Sequence, residues 1–158
     1  MSYRMMASAL AVTFALTAQA HAAEVTRKVE VDGDKAKVWA TIGGWCAIGS
    51  WHPVIAKCQE TETGGKKHRT LTTKDGGVIK ETMLQSGDTS YTYSIDESPL
   101  PVSNYTATLS VVPDADDAEE VNIVWSAKFD PKGDEAAAKT VIDGIFAAGL
   151  AEIKKKLK

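Results

Sequence analysis

Gly43-Gly44-Trp45-Cys46-Ala47-Ile48-Gly49-Ser50-Trp51-His52-Pro53-Val54-Ile55-Ala56-Lys57-Cys58 is the stretch on which the reading of this chain turns. It holds two of the four tryptophans, both cysteines, three glycines and a His-Pro pair. Glycine permits backbone conformations closed to other residues, and Pro53 pushes His52 out of the helical region toward an extended one. The pattern predicts a helix ending near Ile42, a broken turn, and a strand from about Val54. Two large rings so close to glycines must be buried or turned toward a ligand. The segment is therefore expected to close one end of an internal pocket.

On its N-terminal side, Glu24–Val31 alternates as a strand does and runs into the turn Asp32-Gly33-Asp34. Asp34 is placed to cap a helix from Lys35 to about Ile42, in which Val38, Trp39 and Ile42 share a face. On its C-terminal side comes a series of short β-branched runs: Val54–Thr61, Lys67–Thr73, Val78–Leu84, Ser90–Ile95, Asn104–Val112 and Val121–Phe129. Between them lie Thr63-Gly64-Gly65, Lys74-Asp75-Gly76-Gly77, Ser86-Gly87-Asp88, Ser98-Pro99-Leu100-Pro101 and the acidic loop Pro113–Glu120. Glycine and aspartate turns between such runs signal consecutive hairpins, hence an antiparallel meander. Pro131 and Gly133 end the pattern, and from Asp134 onward Val141, Ile142, Ile145, Phe146, Gly149, Leu150, Ile153 and Leu157 form one helical apolar stripe.

That order implies an α+β fold in which one long C-terminal helix covers the apolar face of a curved antiparallel sheet of about seven strands. Two short helices lie between strands 1 and 2 and close one end. A curved sheet gripping one helix leaves a space between the two, a natural ligand cavity.

The first 22 residues stand apart. Arg4, the uncharged apolar run Met5–Thr17 and the small-x-small Ala20-His21-Ala22 form the three-part pattern of a secretory signal cleaved after Ala22, leaving a domain of residues 23–158. The run is shorter than the roughly 20 residues a membrane-spanning helix needs. Stable membrane insertion is therefore not expected, and a periplasmic or secreted location is. Loss of Arg4 leaves 17 basic against 21 acidic side chains, a net charge of −4, which argues against a nucleic-acid partner. Lys154-Lys155-Lys156 and Lys158 sit where positive charge favours a helix C-terminus.

In an oxidising compartment Cys46 and Cys58 can bridge, or remain two buried thiols; spacing alone leaves both open. No Cys-x-x-Cys is present and two histidines remain after cleavage, so neither a metal site nor a cofactor is expected.

Arg69 shares a strand face with Leu71, and Glu81 shares one with Ile79 and Met83. On a sheet with an apolar inner face both charges point inward, where pairing lowers the cost of burial. The pair is either an arginine clamp for a ligand carboxylate or enolate with Glu81 as proton acceptor, or a structural ion pair. Trp51 and His52 form a lid, with His52 as a proton carrier near neutral pH, or a packed corner. Tyr93 and Tyr105 are expected on the cavity wall; Trp125 and Phe146 are ligand-contact candidates that also suit plain core. No Ser-His-Asp arrangement surrounds Ser50 or Ser94, and no phosphate-loop Lys-Ser/Thr follows Gly43-Gly44.

The order strand, two helices, six strands, helix, with Trp51-His52-Pro53 after the short helices, resembles the START-like helix-grip superfamily. This group includes the START domains, the birch-pollen-allergen-like proteins and the polyketide cyclase/dehydrase proteins. The resemblance spans residues 24–158, and Trp45–Cys58 is similar to exported bacterial members, some of which accompany methanol oxidation as accessory proteins. The runs around His68-Arg69, Ile79-Lys80-Glu81, Thr89–Ser94 and Asn104–Thr108 are also similar to the plant lachrymatory-factor synthase. In that enzyme an arginine and a glutamate on neighbouring strands act inside the cavity. By this resemblance Arg69 and Glu81 are the catalytic candidates. The resemblance implies binding of a small hydrophobic or amphipathic ligand, with two alternatives: a cyclase, dehydratase or isomerase, or an accessory protein with a periplasmic dehydrogenase as its partner.

Overall fold

A computed structural model describes residues 22–158; the signal-peptide segment lies outside the described residues, save Ala22. The elements are β1 (Ala23–Asp32), α1 (Lys35–Ile42), α2 (Ile48–Trp51), β2 (Ile55–Thr63), β3 (Lys66–Thr73), β4 (Val78–Gly87), β5 (Ser90–Glu97), β6 (Val102–Pro113), β7 (Glu120–Pro131) and α3 (Glu135–Lys156). All strand pairs are antiparallel, in the order β1-β7-β6-β5-β4-β3-β2, so β1 and β2 are the two edges. This is the expected α+β helix-grip architecture.

Local chemistry sets the helices. The Asp34 carboxylate accepts from the backbone N–H of Ala36 and Lys37, and the Asp134 carboxylate from that of Ala137, satisfying donors left free in each first turn. Lys154, Lys155 and Lys156 occupy the last turn of α3. Gly43 caps α1 and leaves room for the Trp39 ring: a Cβ there would stand 2.2 Å from Trp39 Cε2. The chain between α1 and β2 is more regular than a broken turn, since α2 makes one short helical turn. The Trp51 indole N–H donates to the Ile42 carbonyl at 3.3 Å, tying α2 back to the end of α1.

α3 lies against β1 and β7 and buries Ala138, Ile142, Phe146, Gly149, Leu150 and Ile153. Val141, expected in that stripe, is 39% exposed, because the buried face centres on Ile142 and Phe146 and leaves Val141 at its margin. Gly149 lets α3 approach the sheet: a Cβ there would come within 2.8 Å of His52 Cδ2 and 2.9 Å of Trp125 Cζ3. β6 begins at Val102, before the expected Asn104. The β6–β7 register slips between Ser103 and Thr106, where Asn104 takes φ 48° and its amide donates to Asp130 at 2.7 Å.

Cys46 and Cys58 are bonded, with Cα atoms 5.6 Å apart, so the segment between α1 and α2 is tethered to edge strand β2. The bond closes a loop with a sequence separation of 12. Replacing both cysteines by serine is expected to cost about 3 kcal/mol, chiefly by loosening the unfolded chain. Urea denaturation followed by circular dichroism checks this; an unchanged midpoint would contradict it.

Candidate functional site

The β3–β4 register sets Arg69 directly opposite Glu81. Arg69 Nε donates to Glu81 Oε2 at 2.5 Å, with the two side chains 0% and 5% exposed. Arg69 Nη1 donates to the Trp45 carbonyl at 2.5 Å, and the guanidinium carbon lies 3.8 Å over the centre of the Trp45 ring. The Tyr93 and Tyr91 rings stand 5.1 and 5.5 Å from that carbon. A desolvated guanidinium thus receives a countercharge, a carbonyl and aromatic faces in place of water. Burial works against its charge, but Glu81 and the tyrosines more than offset this and raise its pKa.

Burial raises the Glu81 carboxyl above the ordinary carboxylate range, while Arg69 pulls the other way. Among the described residues Glu81 is the only acidic partner in an ion pair with Arg69. Protonating it would strand a buried cation, so the pair holds as carboxylate and guanidinium.

Between the sheet and α3 lies a cavity of about 420 Å³, within the range of small-molecule sites. Its walls are mostly apolar, built from Ile48, Leu71, Ile79, Ile142 and Phe146 among others, with a mouth at Pro53, Val54, Lys74, Asp75, Pro99 and Leu100. Glu81, Tyr93, Tyr105, Trp125, Phe146 and His52 line it. The Trp125 indole N–H donates to the Tyr93 hydroxyl at 3.1 Å, and the Trp125 ring stacks on Phe146 with centroids 4.4 Å apart. Burial also raises the pKa of Tyr91, Tyr93 and Tyr105, so all three remain protonated phenols at neutral pH.

Two of the expected site residues stand behind the wall. Arg69 is sealed beneath Glu81, Trp45, Tyr91 and Tyr93, so its contacts are with these groups and not with the cavity. Trp51 packs edge-on against Trp125, 5.7 Å between centroids, and supports the wall from outside.

His52 is a buried corner residue facing the cavity. Its Nε2 donates to the Ile145 carbonyl at 3.1 Å, and its Nδ1 accepts from the Val54 N–H at 3.4 Å, which describes a neutral ring. Desolvation lowers its pKa and favours the neutral ring, while the bond to the Ile145 carbonyl works the other way.

Sequence reasoning missed Trp45 and Tyr91 as the layer holding Arg69, although Tyr91 shares a face with Tyr93 by simple alternation. His68, one residue from Arg69, is on the other face and bonds the Thr82 hydroxyl at 2.8 Å. Among the described residues, no group of three or more His, Cys, Asp or Glu side chains is placed to hold a metal ion.

A single helix gripped by a seven-stranded sheet, with an apolar cavity between them, defines a START-like protein. Residues 22–158 match the family described as polyketide cyclase / dehydrase and lipid transport, and the chain belongs to that family. It is similar to the protein XoxI from Bacillus cereus at 32% identity, covering 85% of this chain and 95% of that one, with a TM-score of 0.79. The fold is shared with the ZhuI aromatase/cyclase of Streptomyces sp. R1128, at 15% identity over 87% and 94% of the two chains and a TM-score of 0.71. It is shared also with a START superfamily protein from Mycobacterium smegmatis, at 13% identity over 85% and 96% and a TM-score of 0.68. No curated protein matches the chain.

Glu81→Gln leaves Arg69 buried without a countercharge and is expected to lower stability by about 3–5 kcal/mol. The double variant Arg69→Met/Glu81→Leu removes both charges and is expected to recover most of that loss in urea denaturation. A double variant no more stable than Glu81→Gln would contradict this account. His52 supplies a pH dependence of known sign. Its folded pKa lies below the unfolded 6.5, so its contribution is present above pH 6.5 and is lost as pH falls through the folded value. Between pH 7.5 and 5, the stability difference between wild type and His52→Gln should narrow; a constant difference would contradict the shift.

Proposed function

We propose that this chain is a periplasmic protein that binds a small hydrophobic or amphipathic molecule in the cavity between the sheet and α3. One observation carries this reading: a cavity of about 420 Å³ with mostly apolar walls ends on a carboxylate and tyrosine hydroxyls. Such a space costs packing contacts that a purely structural core would keep, and a bound apolar molecule restores them. The mouth supports it too, since Val54 is 44% exposed and stands beside Pro53 and Pro99, leaving an apolar rim for entry. The N-terminal signal pattern supports the location.

A second reading, an enzyme of the cyclase, dehydratase or isomerase type, is favoured by Glu81 itself. One of its oxygens is held by Arg69, the side chain stands on the cavity wall, and burial raises its proton affinity. A fixed carboxylate with a raised pKa facing an apolar cavity is suited to accept a proton from a bound molecule. Arg69 would then act as a positioning residue.

Native mass spectrometry of protein isolated from the periplasmic fraction tests both readings. The expected species begins at Ala23, lacks the two hydrogens removed by the Cys46–Cys58 bond, and carries one small molecule released by organic solvent. An empty protein that also fails to take up the neutral dye prodan would overturn the binding reading. For the enzyme reading, the extracted molecule should be converted by wild type and bound without conversion by folded Glu81→Gln.

A further inference from the structure

We infer that the cavity selects a neutral ligand whose polar end is a hydroxyl group, an alcohol or a phenol, and rejects a carboxylate of the same shape. The inference rests on the cavity-binding reading and concerns the inner, polar end of that cavity.

Charge comes first. Glu81 is the only charged side chain on the inner wall; Lys74 and Asp75, of opposite sign, are exposed at the mouth. Arg69 neutralises Glu81 from behind but cannot be reached, since its side chain is 0% exposed. An incoming anion therefore meets a carboxylate in a low-dielectric space and finds no cation within reach. An ammonium fares little better, because the carboxylate it would pair with is already neutralised by a guanidinium.

Hydrogen bonding then distinguishes among neutral groups. Glu81 uses Oε2 to hold Arg69, and no described residue donates to its second oxygen, which is not sealed from the cavity. That oxygen is an acceptor in need of a donor. The tyrosines supply the converse. Trp125 donates to the Tyr93 hydroxyl, whereas no hydrogen bond to another described residue engages the Tyr105 hydroxyl, which is not sealed from the cavity. The Tyr105 proton is therefore left for whatever occupies the cavity.

The inner end offers one acceptor and one donor, and a hydroxyl group answers both. A carbonyl engages Tyr105 and leaves Glu81 unmatched, whereas a hydrocarbon leaves both unmatched and desolvated.

Displacement of prodan by 4-butylphenol, 4-butylbenzoate and butylbenzene at pH 7.5 tests this, the three probes sharing one apolar body. The phenol is expected to displace the dye at a concentration about tenfold or more below either of the others. Tyr105→Phe should weaken the phenol about tenfold and leave butylbenzene unchanged. Benzoate displacement equal to that of the phenol, or an unaltered phenol affinity in Tyr105→Phe, would overturn the inference while leaving the cavity a binding site. If prodan itself does not bind, the cavity reading fails, and the inference fails with it.

Discussion

Burying a guanidinium and a carboxylate together is the constraint on which the rest of this structure depends. Neither charge tolerates the interior alone, and their attraction repays desolvation only when the geometry is closely held. Three separate parts of the chain hold it. The β3–β4 register brings Arg69 opposite Glu81, the segment after α1 delivers the Trp45 carbonyl and ring, and β5 contributes Tyr91 and Tyr93. The Cys46–Cys58 bond sits beside Trp45 and limits how far that segment can drift. What looks like a turn-rich connector between helix and sheet is thus a bracket for one side chain.

The consequence for the cavity is a division of labour between layers. Glu81 faces the cavity, Arg69 faces Glu81, and Trp45 faces Arg69. The opposite wall is layered in the same way, with Phe146 on Trp125 and Trp51 edge-on behind it. Gly149 makes the second arrangement possible, since a methyl group there would collide with His52 and Trp125. A START-like fold provides the space; these two aromatic stacks determine its chemistry. The apolar side is built mostly of aliphatic and aromatic side chains, while the polar end is formed by buried groups packed against one another.

Much of the fold was legible because its signals are local. Gly64-Gly65, Gly76-Gly77 and Gly87-Asp88 mark hairpin turns between β-branched runs, and the Ile142–Phe146–Ile153 spacing marks the covering helix. Strand alternation likewise put Arg69 and Glu81 on the inner face. Alternation reports the face but not the depth. It could not say that Glu81 reaches the cavity while Arg69 lies beneath it, because depth depends on Trp45, brought in from 24 positions away. The same limit applies to Trp51 and His52. Proline and glycine located the corner, but the direction of each ring was decided by contact with α3, which lies far along the chain.

An open sheet also leaves two borders, and they are finished differently. β1 is backed by the long helix α3, whereas β2 meets only the short helix α2 and is exposed along nearly all its length. It carries Lys57, Glu60 and Glu62, and its pairing with β3 slips between Ile55 and Lys57. A neighbouring molecule that tried to extend the sheet there would meet charges and an interrupted ladder rather than a flat apolar template. The border that reaches the cavity at Ile55 thereby discourages the sheet from growing past its last strand.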